Sequence, residues 1–273
     1  MSHLIHIPTQ SVHICYSHSP PRHLYNLETD FDWERSLLVR WPAQILNRWL
    51  RKCDYHAAQK VSYFIASSQE VARRIKLIYK KTAYVIFPPC LYILTKNVVP
   101  RNKRTYYLVV GRLSRRKHID LAIDICNSHN LQLNIVGSGP EEKYLKQLAG
   151  PTIHFLDQKS NLVELYKYAI AVICLGKDEE ASIVPVEAMC FGTPVIAYNS
   201  GGYKETVSEG KTGVLFNKLN TASLEKAFIK LKSLKVNVQL CQKLATRYGN
   251  QKFVKRFKSF VQEKINEHSL PQS

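Results

Sequence analysis

Short apolar segments alternate with amphipathic helical patterns through the middle of this chain, and this alternation constrains its fold more than any other feature. Strands rich in Val, Ile and Leu that are joined by helices are typical of a parallel sheet covered on both faces. We therefore predict a doubly wound α/β domain. Its strands are expected at 106–111, 131–136, 152–156, 170–175, 194–198 and 213–216, and its helices at about 117–128, 140–149, 160–168, 184–191, 203–209 and 221–234.

The residues before this domain carry one more strand–helix–strand pattern. Segments 61–68 and 83–89 predict strands, and 69–80 predicts the helix between them. Residues 33–59 indicate a long helix. Pro42 is expected to break that helix, because proline lacks a backbone donor and clashes with the preceding turn.

A proline pair and a polar run indicate a linker between the two regions. Pro88 and Pro89 are followed by polar residues up to Arg104. The tail from about residue 238 is helical and basic. The sequence therefore predicts a partial N-terminal domain over 1–93, a complete ligand-binding domain over 94–240, and a helical tail over 241–273 that packs back on the N-terminal part.

The charge of the chain is strongly positive and unevenly spread. Of a net charge of +18, residues 1–93 carry +6 and residues 217–273 carry +9. Such an excess favours an anionic partner such as lipid headgroups or pyrophosphate, although it also fits solvated helix faces. The middle of the chain is nearly neutral and carries no recognised nucleic-acid motif, so we expect no nucleic-acid partner.

Cysteine spacing and hydropathy limit the class of protein further. The seven cysteines are scattered singly, which predicts neither a zinc site nor a disulfide framework. No apolar run reaches the roughly 18 residues that a membrane span needs, and the start does not resemble a signal peptide. We expect a cytoplasmic protein that is soluble or peripheral on the inner face of a membrane.

Two glycine-containing loops follow predicted strands. Gly111 and Arg112 end the first strand of the middle domain, and Lys117 begins the next helix. Glycine permits close backbone approach, and cations near a helix start suit a pyrophosphate. Residues 136–140, Val-Gly-Ser-Gly-Pro, form a second tight turn between a strand and a helix. Each loop is a modest signal when taken alone, because surface cations and glycine turns are common.

Two carboxylates bracket a third loop. Glu179 lies on the predicted loop and Glu187 lies eight residues later, within the predicted helix. A helical carboxylate can bind two ribose hydroxyls, and a loop carboxylate is placed to meet a sugar. Gly201 and Gly202 precede Glu205 after the next strand and allow another close approach.

The order of these motifs resembles family 4 glycosyltransferases of the GT-B fold, with their mannosyltransferases as the nearest relatives. The similarity is clearest over about 105–235, and it continues upstream through 18–20, the helix that leads into 57–75, and 85–89. The resemblance implies a complete Rossmann-like donor domain, a partial Rossmann-like acceptor domain, and a retaining transfer of a hexose. The expected donor is a GDP- or UDP-linked sugar, with no metal, and the expected acceptor is a saccharide or a polyprenyl-linked lipid.

The resemblance also implies roles for matching residues. Arg112 and Lys117 would neutralise the donor diphosphate and stabilise it as a leaving group. Glu187 would hold the ribose, and Glu179 and His18 would contact the transferred sugar. Backbone groups near 155–156 would meet the base, and amides at 183–184 would bind the anion. The donor-contacting set implied by the family is Gly111, Arg112, Lys117, Gly137, Phe155, Leu156, Ser182, Ile183, Val184 and Glu187.

The chain departs from the family pattern in three places. Ala181 and Ser182 stand where the family has Phe and Gly, and Asp157 stands where it has Gly; both changes are expected to affect donor affinity. About half of the family's N-terminal domain is not recognised at the front. The alternative function is therefore a catalytically incomplete or split-subunit donor-binding protein, with a second chain completing the N-terminal domain.

Two weaker signals lie between residues 30 and 52. Asp30 and Asp32 have a spacing used for metal–diphosphate binding, but they precede a helix and favour capping it. Trp33, Trp41 and Trp49 recur every eight residues with arginines interleaved. This pattern predicts either a basic amphipathic face resting on anionic lipid or a stripe buried in a core, and a missing half of the domain that packs there would favour the buried stripe.

Overall fold

A computed structural model describes residues 11–29, 37–92, 94–95 and 97–269. The chain divides into two compact units: unit 1 comprises Met1–Pro89 and Asn250–Ser273, and unit 2 comprises Cys90–Gly249. The domain limits inferred from sequence, at 93/94 and 240/241, remain predictions. Within the described residues, no helix is long and apolar enough to cross a membrane.

Unit 1 contains a parallel sheet of three strands in the order β1-β2-β3. Alternate residues of the sheet pack on opposite faces. Phe64 packs with Ile75 and other residues of the first two helices, whereas Ile65 packs with Phe260 of the last helix. The elements are β1 (Ile14–Ser17), α1 (Leu37–Gln59), β2 (Tyr63–Ala66), α2 (Gln69–Tyr79), β3 (Ala83–Val85) and α10 (Asn250–Ser269).

Unit 1 corrects two sequence-based expectations. The strand β1 was not predicted, because its four residues are too few to show a clear alternation. The expected break at Pro42 is wrong, since α1 is continuous through it. Pro42 removes one helical hydrogen bond, and the packing of Asp54, Ala57 and Ala58 at the other end of the helix offsets this loss.

The structure also shows whether the tryptophans of α1 are buried in unit 1. Trp41 and Trp49 are exposed, with 71% and 59% of their surface accessible, and Ile45 between them is 68% accessible. A stripe buried in the core of unit 1 is therefore excluded for these three residues. Trp33, Asp30 and the other residues of 30–36 lie outside the described part of the chain.

Unit 2 contains a six-stranded parallel sheet in the order β6-β5-β4-β7-β8-β9, which confirms the predicted doubly wound domain. Its two faces carry separate cores: Val109 packs with residues of α3 and α8, and Leu108 packs with residues of α5, α6 and α9. The strands are β4 (Tyr106–Val110), β5 (Leu133–Val136), β6 (Ile153–Leu156), β7 (Ala169–Cys174), β8 (Val195–Tyr198) and β9 (Gly213–Phe216). The helices are α3 (Ile119–Ser128), α4 (Glu142–Leu148), α5 (Leu162–Tyr168), α6 (Val184–Cys190), α7 (Tyr203–Thr206), α8 (Thr221–Ser233) and α9 (Val238–Ala245).

The two ends of unit 2 lie side by side. The backbone N–H of Cys90 donates to the carbonyl of Tyr248 at 2.7 Å, and Cys90 also forms a parallel bridge with Gly249. The chain therefore enters and leaves this unit at the same place.

Candidate functional site

The strand order of unit 2 creates a crevice at the carboxyl end of its sheet. The strand β4 lies between β5 and β7, so the connection after β4 leads to one side of the sheet and the connection after β7 to the other. Loops diverge at such a switch point and leave room for a ligand. The loops that begin at Gly111 and Gly176 flank this crevice; the first carries Gly111, Arg112 and Lys117, and the second carries Glu179, Ser182 and Ile183.

Two glycine loops touch along the crevice. The N–H of Gly111 donates to the carbonyl of Val136 at 3.0 Å, and the N–H of Leu113 donates to the carbonyl of Ser138 at 2.9 Å. A Cβ atom placed on Gly137 would lie 1.8 Å from the carbonyl oxygen of Gly111, at a φ of +152°. Only glycine fits at position 137, because any side chain would separate the two loops.

Two neighbouring cavities open on these loops, with volumes of about 540 Å³ and about 180 Å³. Val110, Gly111 and Arg112 line both cavities, so the two spaces share a wall. The larger one is otherwise lined by Val136, Gly137, Ser138, Gly139, Gln158 and Leu162. The smaller one is otherwise lined by Val109, Lys117, Ile119, Ile173, Cys174, Leu175, Glu179, Ala181, Ser182, Ile183, Val184 and Tyr203.

Two cations hold the carboxylate of Glu179. Lys117 Nζ donates to Glu179 Oε1 at 2.8 Å, and Arg116 Nη1 donates to the same oxygen at 2.9 Å. Glu179 is only 7% exposed, so these charge-assisted hydrogen bonds compensate for its removal from water. The loop that carries Glu179 also rests against the backbone of Gly201, where a Cβ atom would lie 2.1 Å from the Glu179 carbonyl oxygen.

Two residues of this site were not identified from the sequence. Arg116 belongs to a run of three cations, Arg115 to Lys117, and the run does not show which members face the carboxylate. Tyr203 is buried and lines the smaller cavity beside Glu179. Burial, and then the charge of Glu179, raise the pKa of Tyr203, so its phenol stays protonated at neutral pH and can donate a hydrogen bond. Glycines at 201–202 were the nearest sequence signal to Tyr203.

Glu187 lies in α6 and lines neither of the two cavities described above. The hydroxyl of Tyr166 donates to Glu187 Oε2 at 2.5 Å. Burial raises the pKa of the Glu187 carboxyl, and the Tyr166 hydrogen bond opposes that rise. The ribose contact expected for Glu187 remains a prediction.

The other expected site residues fall in three places. Gly111, Arg112, Lys117, Gly137, Glu179, Ser182, Ile183 and Val184 line one or both cavities. Phe155 and Leu156 end β6 and line neither cavity; the nearby Gln158 lines the larger one. His18 lies directly after β1 in unit 1, where its ring centroid is 5.1 Å from that of Tyr16. Its expected contact with a sugar remains a prediction.

Parallel α/β units, one of them with ligand-sized cavities at its switch point, fit the GT-B fold that the motifs predicted. More than half of the chain, residues 94–252, matches the model of the family described as glycosyl transferases group 1. The chain belongs to this family, and the resemblance inferred from its motifs is confirmed.

Individual relatives agree with this assignment. An uncharacterized glycosyltransferase of Haemophilus influenzae is 28% identical over 185 residues, which cover 62% of this chain and 52% of the relative. The GDP-mannose-dependent alpha-mannosyltransferase of Mycobacterium tuberculosis is 34% identical over 108 residues, which cover 39% of this chain and 28% of the relative. The chain thus spans about half of the first relative and less of the second.

A solved structure shows the same fold. Anabaena HepE in complex with UDP superimposes with a TM-score of 0.70 at 17% identity, over 92% of this chain and 72% of the other. At this level of identity the similarity concerns the fold alone.

Proposed function

We propose that this protein transfers a hexose, of the mannose type, from a nucleotide-diphosphate sugar to a saccharide or lipid-linked acceptor, with retention at the anomeric carbon. Membership of the group 1 glycosyl transferases supports the transferase class. The mannosyltransferase named among the relatives supports the choice of sugar and, through its name, a GDP-linked donor. The chain spans about half the length of its first relative. The sugar-transfer activity of the whole protein is therefore itself proposed.

The observation that carries this proposal is the arrangement of charge around the smaller cavity. Arg112 and Lys117 line it together with Glu179, and Arg116 holds the Glu179 carboxylate from one side. A diphosphate that enters the cavity offers Lys117 a second anionic partner, while Arg116 continues to hold Glu179. The site thus provides cations for a leaving diphosphate and a fixed carboxylate for sugar hydroxyls.

The larger cavity has the character expected of a nucleoside site. Its walls are formed mainly by backbone and apolar groups of residues 110–111 and 136–139 and of Leu162, and Ser138 and Gln158 add polar atoms. A planar base and a ribose need such a surface, with few charges. Since this cavity shares Arg112 with the smaller one, a nucleoside in the first and a sugar in the second would place the diphosphate near Arg112.

The chemistry follows from this assignment. The bond between the anomeric carbon and the diphosphate oxygen breaks, a bond from that carbon to an acceptor hydroxyl oxygen forms, and the hydroxyl proton passes to an oxygen of the departing diphosphate. Negative charge grows on the departing diphosphate. Cations that are already in position stabilise this charge without reorganisation at the moment of reaction.

Isothermal titration with GDP, UDP and ADP tests the donor site on this chain alone. We expect one of the three nucleotides to bind, and Arg112→Ala to weaken its binding about tenfold or more, since a lost charge-assisted hydrogen bond costs about 1.5–3 kcal/mol. Glu187→Ala should weaken it as well if that carboxylate holds the ribose. Lys143→Ala, at an exposed position of α4, is the control. A folded chain that binds none of the three nucleotides would contradict the proposal.

A further inference from the structure

The amino-terminal half of α1 presents an apolar and basic face that the described residues of unit 1 leave exposed. Trp41, Ile45 and Trp49 are exposed along it. At about 100° per residue these three side chains fall within about 80° of one another, so they form a single stripe along the helix. Residues 41–49 are exposed except for the partly buried positions 43 and 47, whereas Asp54, Ala57 and Ala58 anchor the other end of the helix.

Cations share this face with the tryptophans. Arg48 and Lys52 are exposed and lie about 20° to either side of the direction of Trp41. The sequence from 36 to 53 contains four cations and no acidic residue. The next acidic residue, Asp54, is buried and accepts hydrogen bonds from Tyr25 and Tyr79 at 2.8 Å each, so its charge is not presented on this face.

The mixture of residues identifies the kind of surface that would cover the stripe. Tryptophan and arginine are enriched at protein–protein interfaces but lysine is depleted there, so Lys52 is the residue of this stripe that argues against a protein partner. A membrane interface suits both residue types: the indole rings insert at the level of the headgroups, while arginine and lysine reach anionic phosphates. Nucleic acid would satisfy the cations, but a duplex offers no apolar phase for Ile45 and the tryptophans.

We propose that α1 docks on an anionic lipid bilayer through Trp41, Ile45 and Trp49, with Arg48 and Lys52 contacting the headgroups. The stripe from Trp41 to Lys52 is about 16 Å long, which suits a helix lying in the plane of the interface. This docking does not depend on the donor site, and it would bring the protein to a surface where lipid-linked saccharides are found.

Tryptophan fluorescence of the full chain tests the proposal, because all three tryptophans of the protein lie between residues 33 and 49. We expect a blue shift and co-sedimentation with vesicles of phosphatidylglycerol and phosphatidylcholine, and much weaker binding to phosphatidylcholine alone. The double variant Arg48→Glu, Lys52→Glu should weaken binding at least about tenfold, because it replaces two cations that contact the headgroups by anions that the bilayer repels. The double variant Trp41→Ala, Trp49→Ala should abolish the co-sedimentation.

Matched controls separate this contact from net charge and from folding. Lys143→Glu with Lys232→Glu makes the same change of charge at exposed positions of unit 2 and should leave vesicle binding within about twofold of the unmodified chain. Unchanged thermal unfolding midpoints show that the variants remain folded. The proposal is overturned by a folded chain that ignores anionic vesicles, or by vesicle binding that survives both α1 variants. A blue shift that occurs without vesicles also overturns it. If raising the protein concentration causes the shift, a second copy of the chain covers the stripe; if a single-stranded oligonucleotide causes it, nucleic acid does.

Discussion

The ammonium group of Lys117 lies 2.8 Å from the carboxylate of Glu179, although 62 residues separate the two in the chain. Their loops follow β4 and β7, which are neighbours in the sheet although two other strands lie between them in sequence. The pair therefore spans the switch point of the sheet. It joins a residue proposed to bind phosphate to a residue proposed to bind the sugar.

Removal of the Lys117 ammonium should weaken nucleotide binding. Lys117→Ala is expected to raise the Kd of the preferred nucleoside diphosphate about ten- to hundredfold, because a charge-assisted hydrogen bond to phosphate is lost. Isothermal titration measures the change. Lys143→Ala, at an exposed position of α4, is the control and should leave the Kd unchanged. Equal affinities for the unmodified and Lys117→Ala chains would place the phosphates elsewhere.

Arg116 should act on the sugar more than on the nucleotide. It bonds to Glu179 but does not line either cavity, so its loss removes one of the two cations that hold the carboxylate without removing a phosphate contact. We expect Arg116→Ala to change the Kd of the nucleoside diphosphate by no more than about twofold. It should raise the Kd of the nucleotide sugar about tenfold, as expected for one lost hydrogen bond to a charged group. Parallel isothermal titrations of both chains with the two ligands measure the change in each Kd. Equal weakening of both ligands would show that Arg116 binds phosphate directly.

The buried carboxyl of Glu187 makes stability depend on pH. Burial raises its native pKa above the ordinary value of 4.5. At a pH between the unfolded pKa and the higher native pKa, the native state retains a proton that the unfolded chain has released. The free energy of unfolding therefore falls as the pH rises through this window. The neutral variant Glu187→Gln lacks this loss, and its stability relative to the unmodified chain should therefore be greater at pH 8 than at pH 4.

Urea unfolding at both pH values measures this difference. Tyr166→Phe provides the opposing variant: it removes the hydrogen bond that lowers the Glu187 pKa, so the pH-dependent loss of stability should extend to higher pH. If Glu187→Gln and the unmodified chain keep a constant difference in stability from pH 4 to pH 8, Glu187 does not titrate as described.

The contact between the two glycine loops should make Gly137 irreplaceable. Gly137→Ala would force a Cβ atom to within 1.8 Å of the Gly111 carbonyl oxygen, so the loops must separate. Gly210→Ala is the matched control, because Gly210 has a φ of +72° and open space around it. The control should lose about 1–2 kcal/mol from backbone strain alone, and Gly137→Ala should lose more. Urea unfolding that ranks the two variants in the reverse order would contradict this packing.

Much of unit 2 could be predicted because its signals are local and repeated. Each strand is a short apolar run, and each helix has its own period. Once the strands are parallel, the residues after β4 and β7 must meet at one edge, which is how Arg112, Lys117 and Glu179 were expected together. The roles of these residues are a further step and remain predictions.

The failures of the sequence analysis have equally physical causes. Helix α1 passes through Pro42 because contacts at its other end, where Asp54 accepts hydrogen bonds from Tyr25 and Tyr79, offset one lost bond, and the sequence does not show those contacts. Arg116 was missed because three successive cations look alike until the direction of each side chain is known. Tyr203 was missed because a buried tyrosine in an apolar setting resembles core packing until the cavity beside it is seen.

The hydrogen bond between Cys90 and Tyr248 has a genetic consequence. A segment whose two ends touch is self-contained in the way that an inserted cassette is: it can be removed as one block and the flanking chain rejoined at Pro89 and Asn250. Under the proposed function, recombination at these two points would replace the whole candidate donor-binding unit in a single event, without gradual alteration of its individual side chains.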